Sequence, residues 1–141
     1  IAKGMGNGFP VGGILVNPII KSKYGMLGTT FGGNHLACSA SLAVLQVLEK
    51  ERLCDHAKSM GEYFIEKAKT LPFVKTIKGR GLMLGLEFEK EVGALRKELI
   101  FNHRIFTGGS SNKNLIRILP PLNVQKKHLD QLIKALQICH Q

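Results

Sequence analysis

Apolar residues recur every three or four positions in some stretches of the chain and every second position in others. From His35 to Glu51 they cover almost every side, through Leu36, Ala37, Cys38, Leu42, Leu45 and Leu48. This run predicts a helix buried on several sides, with Asn34 as its N-cap. A chain of this size offers little to bury it against. Arg52 to Leu71 keeps helical spacing on one face only, through Leu53, Ala57, Met60, Phe64, Ala68 and Leu71, and Pro72 stops it. Leu82, Leu84, Leu86 and Phe88 alternate at period two, a strand signal. Further strands are expected at Val11 to Val16, Val74 to Lys78, Arg104 to Thr107 and Asn114 to Leu119. The last of these is stopped by Pro120-Pro121. Helices are expected at Glu91 to His103, with Val92, Leu95 and Leu99 on one face, and at Gln125 to Cys139, with Leu129, Leu132, Ile133, Leu136 and Cys139 inward. Lys126 and Lys127 sit at the positive end of that last helix, so its first turn should fray unless Asn123 caps it.

The short turn near Arg52 marks an expected boundary. Residues 1–52 read as the end of a larger domain. Residues 53–141 read as a small α+β module, with helices on one face of a mainly antiparallel sheet. The chain opens on Ile1 within an apparent strand, which suggests the C-terminal part of a longer protein.

Composition and charge change this picture little. The formal charge is +10, but the 20 basic residues are scattered and form no run of five or six, so a nucleic-acid partner is not expected. No stretch of about 18 apolar residues is present, so no membrane span is expected. The three cysteines, Cys38, Cys54 and Cys139, are widely spaced and form no CxxC pair. A disulfide framework or a zinc site is therefore not expected, and a reducing cytoplasm is. Cys38 and Cys139 fall at helical core positions, where cysteine acts as a small hydrophobe.

Candidate chemistry begins at IAKGMGNGFPVGG, Ile1 to Gly13. Lys3 stands among small and apolar residues, with five glycines in the next ten positions. A dry, crowded amine there would be a nucleophile suited to a Schiff base with an aldehyde or ketone, whereas a lysine beside a flexible surface loop would do no chemistry. Thr29 and Thr30 precede a helix start, where hydroxyls and free N–H groups suit a phosphate; turn formation and capping also account for them. Arg117, in the apolar run LIRIL, suits a carboxylate held bidentately or a structural ion pair. Arg80, between Gly79 and Gly81, misses the dinucleotide pattern, and Gly79 to Gly85 reads as tight strand packing. His35, His56, His103, His128 and His140 show no metal-ligand spacing, and the last four are expected on solvated faces.

The segment around Lys3 resembles the cofactor-lysine segment of the class III pyridoxal-phosphate aminotransferases, as do GTTFGGNHLAC (Gly28 to Cys38), GRGLMLGLEF (Gly79 to Phe88) and NLIRILPPL (Asn114 to Leu122), in the family's order. His35 departs from the family's usual proline. The resemblance implies an α/β fold-type I transferase, here the end of the large domain plus the α+β small domain. It implies pyridoxal 5'-phosphate held by Lys3, which would also move the reaction's proton. Thr30 would receive the cofactor phosphate of a neighbouring subunit, which implies a homodimer, and Thr29 would lie against substrate. Arg117 would take the α-carboxylate of 2-oxoglutarate or glutamate. The nearest branch implies amino transfer from an N-acylornithine, acetyl or succinyl, to 2-oxoglutarate, as in arginine biosynthesis. Ornithine and 4-aminobutyrate are the alternative donors, and a non-catalytic binding module on the same scaffold is the alternative of another class. The aspartate expected against the cofactor's pyridine nitrogen has no counterpart in these 141 residues.

Overall fold

The computed structural model describes residues 1–140. The chain divides into two compact units, Ile1–Arg52 and a second that starts at Leu53. Among the described residues no helix is long and apolar enough to cross a membrane.

The first unit holds a 3-10 turn, Lys3–Gly6, and one long helix, α1, at His35–Lys50. Asn34 starts α1 as its side chains predict. Its Oδ1 accepts the Ala37 N–H at 2.9 Å, and its Nδ2 donates to the Phe31 carbonyl at 2.9 Å. The expected strand at Val11 to Val16 does not form. A strand needs a neighbour along its length for its ladder, and this segment pairs only at Gly13, which exchanges hydrogen bonds with Ile1 at 2.8 and 2.7 Å; Ile14, Leu15 and Val16 are exposed. Burial along α1 also differs from expectation. Only Ala37 and Ser41 are buried, while Leu36, Leu42, Leu45 and Val47 face outward. Cys38 is likewise exposed and is not a core residue.

The second unit follows its periodicity closely. Helix α2 runs Leu53–Lys69, strand β1 Val74–Arg80, strand β2 Met83–Phe88, helix α3 Gly93–Phe101, strand β3 Leu115–Ile118 and helix α4 Lys126–Ile138. The three strands form one antiparallel sheet in the order β1-β2-β3, with Ile77 opposite Leu86 and Leu86 opposite Ile116. Leu84, Leu86, Phe88, Ile116 and Ile118 point to one face. There they pack with Met60, Phe64 and Ala68 of α2, Leu99 of α3 and Leu129, Leu132 and Leu136 of α4. Helix α2 reaches this core through Gly61, where an added Cβ would run into the Gly81 carbonyl of the β1–β2 turn. Tyr63 of α2 donates to Asp130 of α4 at 2.6 Å, and this hydrogen bond to a carboxylate raises its pKa.

Two expectations fail here for local reasons. Arg104 to Thr107 is not a strand. Arg104 takes φ +58 and ends α3 by turning the chain, with its N–H on the Ile100 carbonyl and the Ile105 N–H on that of Leu99. The first turn of α4 is held by neither fraying lysines nor Asn123, since the N-cap is Gln125, whose N–H donates to His128 Nδ1 at 3.3 Å. Two other histidines also have partners. His56 Nε2 meets the Val124 carbonyl at 2.7 Å, and the His140 ring stacks on Phe73 at 3.8 Å.

Candidate active site

Lys3 opens the 3-10 turn in a left-handed conformation, φ +57. For a residue with a Cβ this costs on the order of 1–2 kcal/mol, and such outliers concentrate at functional sites. The expected dry surroundings are absent. Lys3 is exposed, although its turn lies beside α1.

Thr29 and Thr30 are exposed in the loop before α1. Thr29 lines a cavity of about 660 Å³ with Phe9 to Gly12 and the segment Phe31 to Asn34, reaching Ala37 in the first turn of α1. Thr29 folds back against Gly32, where an added Cβ would overlap its Cγ2, so only a bare backbone admits this loop. A 16-residue helix directs free N–H groups and partial positive charge at that cavity. Lys3 and Thr30 lie outside its lining.

Arg117 belongs to the second unit, on the sheet face away from the core. Its backbone pairs with Gly85 on one side and with Gly108 on the other, and the Gly108 bonds are both 2.9 Å. An added Cβ at Gly108 would come within 3.2 Å of Arg117 Nε and 3.5 Å of Nη2. The guanidinium therefore lies over a bare glycine. Arg117 is exposed, and among the described residues its side chain makes no hydrogen bond or ion pair. Arg96 holds the Gly108 segment by donating to the Thr107 carbonyl at 2.9 Å and to its Oγ1 at 3.4 Å. Sequence reading missed this arrangement. The available signal was a glycine pair followed closely by an arginine strand. Arg80 closes β1 opposite Met83, as tight strand packing requires.

Lys3, Thr29 and Thr30 thus share one unit and Arg117 lies in the other. The family model "Aminotransferase class-III" matches residues 1–139. The chain belongs to the class-III aminotransferases. These are fold-type I enzymes that depend on pyridoxal 5'-phosphate. The chain is 44% identical to the acetylornithine aminotransferase of Aquifex aeolicus, a match covering 97% of this chain and 36% of that one. It is 39% identical to the acetylornithine aminotransferase of Methanocaldococcus jannaschii, over 96% and 35%. The crystal structure of ornithine aminotransferase from Toxoplasma gondii superposes with a TM-score of 0.73 at 27% identity, covering 84% and 31%. The chain spans about a third of the length of the relatives it matches. The donor set fits the family's cofactor: a primary amine for an aldehyde, and hydroxyls with a glycine-bare loop at a helix start for a phosphate.

Proposed function

We propose that this chain forms part of a pyridoxal-phosphate aminotransferase. The enzyme moves the terminal amino group of an N-acylornithine to 2-oxoglutarate, giving the semialdehyde and glutamate. Residues 1–52 belong to its large domain and residues 53–141 to its small domain. The observation that carries this reading is the family match through Lys3, whose strained backbone fits a functional lysine. When bound, the cofactor supplies an electron-withdrawing ring that stabilises negative charge on the substrate carbon. The rest falls to side chains. Lys3 holds the cofactor aldehyde and, as a free amine, moves the proton at the substrate carbon. Thr30 receives the cofactor phosphate across a homodimer interface, and Thr29 lies beside the donor substrate. Arg117 receives the α-carboxylate of 2-oxoglutarate. Arginine biosynthesis in the cytoplasm is the setting that fits this chemistry.

Borohydride treatment of the full-length enzyme, followed by peptide mass mapping, tests the central assignment. The cofactor mass is expected on the peptide containing Lys3, and its attachment to another lysine would overturn the assignment. Ornithine itself is the second candidate donor, supported by the ornithine aminotransferase superposition. A substrate panel of acetylornithine, succinylornithine and ornithine separates these by kcat/KM.

A further inference from the structure

Away from the residues assigned above, three unlike side chains converge in the second unit. Glu98 lies on α3, His103 stands two residues beyond its end and Cys139 caps α4. One ligand-type atom of each lies within 4.8 Å of the other two, and all three residues are half-buried. Burial pushes the Cys139 thiol up, and the Glu98 carboxylate adds to this by its charge and by a hydrogen bond. Among the described residues Glu98 has no ion pair. The cluster therefore gathers a carboxylate, a thiol and an imidazole. Glu98 and Cys139 also line a cavity of about 410 Å³, to which Glu89 and Glu91 add carboxylates and Lys90 the one ammonium.

We propose that Glu98, His103 and Cys139 form a binding site for a divalent transition-metal ion of the zinc type. Sulfur, imidazole nitrogen and carboxylate oxygen are each zinc ligands. Calcium and magnesium take oxygen alone, so this donor set disfavours them. Three protein ligands leave a fourth position for water, and the adjoining cavity has room for it. Zinc bonds of about 2.0–2.3 Å place tetrahedral ligand atoms about 3.3–3.7 Å apart. Atoms that lie within 4.8 Å of one another need close by at most about 1.5 Å to reach that spacing. Binding exchanges the thiol proton for the metal: the S–H bond breaks, a sulfur–metal bond forms and the proton leaves to solvent. The bound ion ties the end of α3 to the end of α4. Ligands 36 residues apart in the chain, between His103 and Cys139, escape any search by motif spacing.

Alkylation of individual thiols tests this in the full-length protein, first stripped with a chelator. Peptide mapping then follows iodoacetamide labelling with and without added Zn²⁺. Zinc is expected to slow labelling of Cys139 by about tenfold or more while Cys38 and Cys54 label as before. The variants Glu98→Gln and His103→Gln are expected to lose most of that protection at the same zinc concentration, with far-ultraviolet circular dichroism checking that each is folded. The wild-type measurement stands without them. An unchanged Cys139 rate in wild type would overturn the proposal, and so would full protection persisting in a folded His103→Gln variant.

Discussion

At the scale of single residues, Arg117 is the best-defined candidate. Among the described residues its guanidinium has no side-chain hydrogen bond or ion pair; it is laid over Gly108 and carried by a strand paired on both sides. A charged donor kept free on a rigid strand is suited to a carboxylate that arrives with substrate. Replacing Arg117 by Ala is expected to lower kcat/KM for 2-oxoglutarate by about tenfold to a hundredfold, since charge-assisted bidentate pairs are worth a few kcal/mol. The acylornithine half-reaction should lose much less. Gly108→Val should produce a weaker form of the same asymmetry, because the new side chain occupies the space of the guanidinium. Stopped-flow measurement of the two half-reactions checks both variants. Equal losses in the two halves would remove Arg117 from substrate binding and leave it a structural role.

At the scale of elements, the sheet and its helices meet through contacts with different sensitivities. Gly61 brings α2 onto the Gly81 carbonyl. Alanine in an open helix interior would stabilise by about 1 kcal/mol, whereas overpacking costs about 1–3 kcal/mol. Since the atom it would meet is backbone, the second effect wins. Gly61→Ala is expected to lower Tm by several degrees, and a rise in Tm would show that α2 shifts freely. Glu87 latches all three strands. It accepts from Lys78 of β1 at 2.6 Å and from Asn112, just before β3, at 2.9 Å. The Lys78 bond first, then the Asn112 bond, hold its carboxyl below its ordinary value of 4.5 against a smaller opposing effect of burial. A depressed carboxyl contributes stability above its unfolded value and loses it as pH falls through the folded one. Thermal melts between about pH 6 and pH 3 should therefore show a steeper fall in wild type than in Glu87→Gln. Parallel curves would count against the latch.

These elements also show what the sequence could reveal. Leu84, Leu86 and Phe88 alternate because one face of β2 meets the core, so period and burial coincide. The same holds for Ala57, Met60, Phe64 and Ala68 on α2. Arg104 to Thr107 looked extended by composition, yet a left-handed arginine closing α3 claimed those backbone bonds first. Capping of α4 by Gln125 and His128 escaped because neither is a strong capping type. For the site, Lys3, Thr29, Thr30 and Arg117 were visible as residue types in glycine-rich or apolar settings. The glycine beneath Arg117 was not, because strand pairing brings Gly108 to it across nine positions of chain.

At the scale of the whole molecule, the two units differ in what they bury. Beyond Gly6, Ala37 and Ser41, nothing in residues 1–52 is buried, while Leu15 is 91% exposed, Ile19 82% and Phe31 81%. Helix α1 turns Leu36, Leu42 and Leu45 outward as well. Apolar surface on that scale marks an interface. The second unit instead encloses Phe64, Leu86, Leu99, Ile116 and Leu136 almost completely. The 141 residues expressed alone should thus behave as two halves of unequal stability. Amide exchange is expected to be slow at Leu86, Ile116 and Leu136 and fast through residues 1–34 and along α1, with binding of a hydrophobic dye. The same material should not transaminate. Lys3 is exposed, without the dry surroundings that would activate its amine, and the proposed phosphate role of Thr30 needs a second subunit. Mixing the 141 residues with pyridoxal phosphate, acetylornithine and 2-oxoglutarate, and following glutamate, checks the point. Turnover of about 1 per second or faster would show that these residues suffice for catalysis. Slow exchange at Ala37 and Ser41, matching Leu86, would show that the first unit holds its shape without a cover.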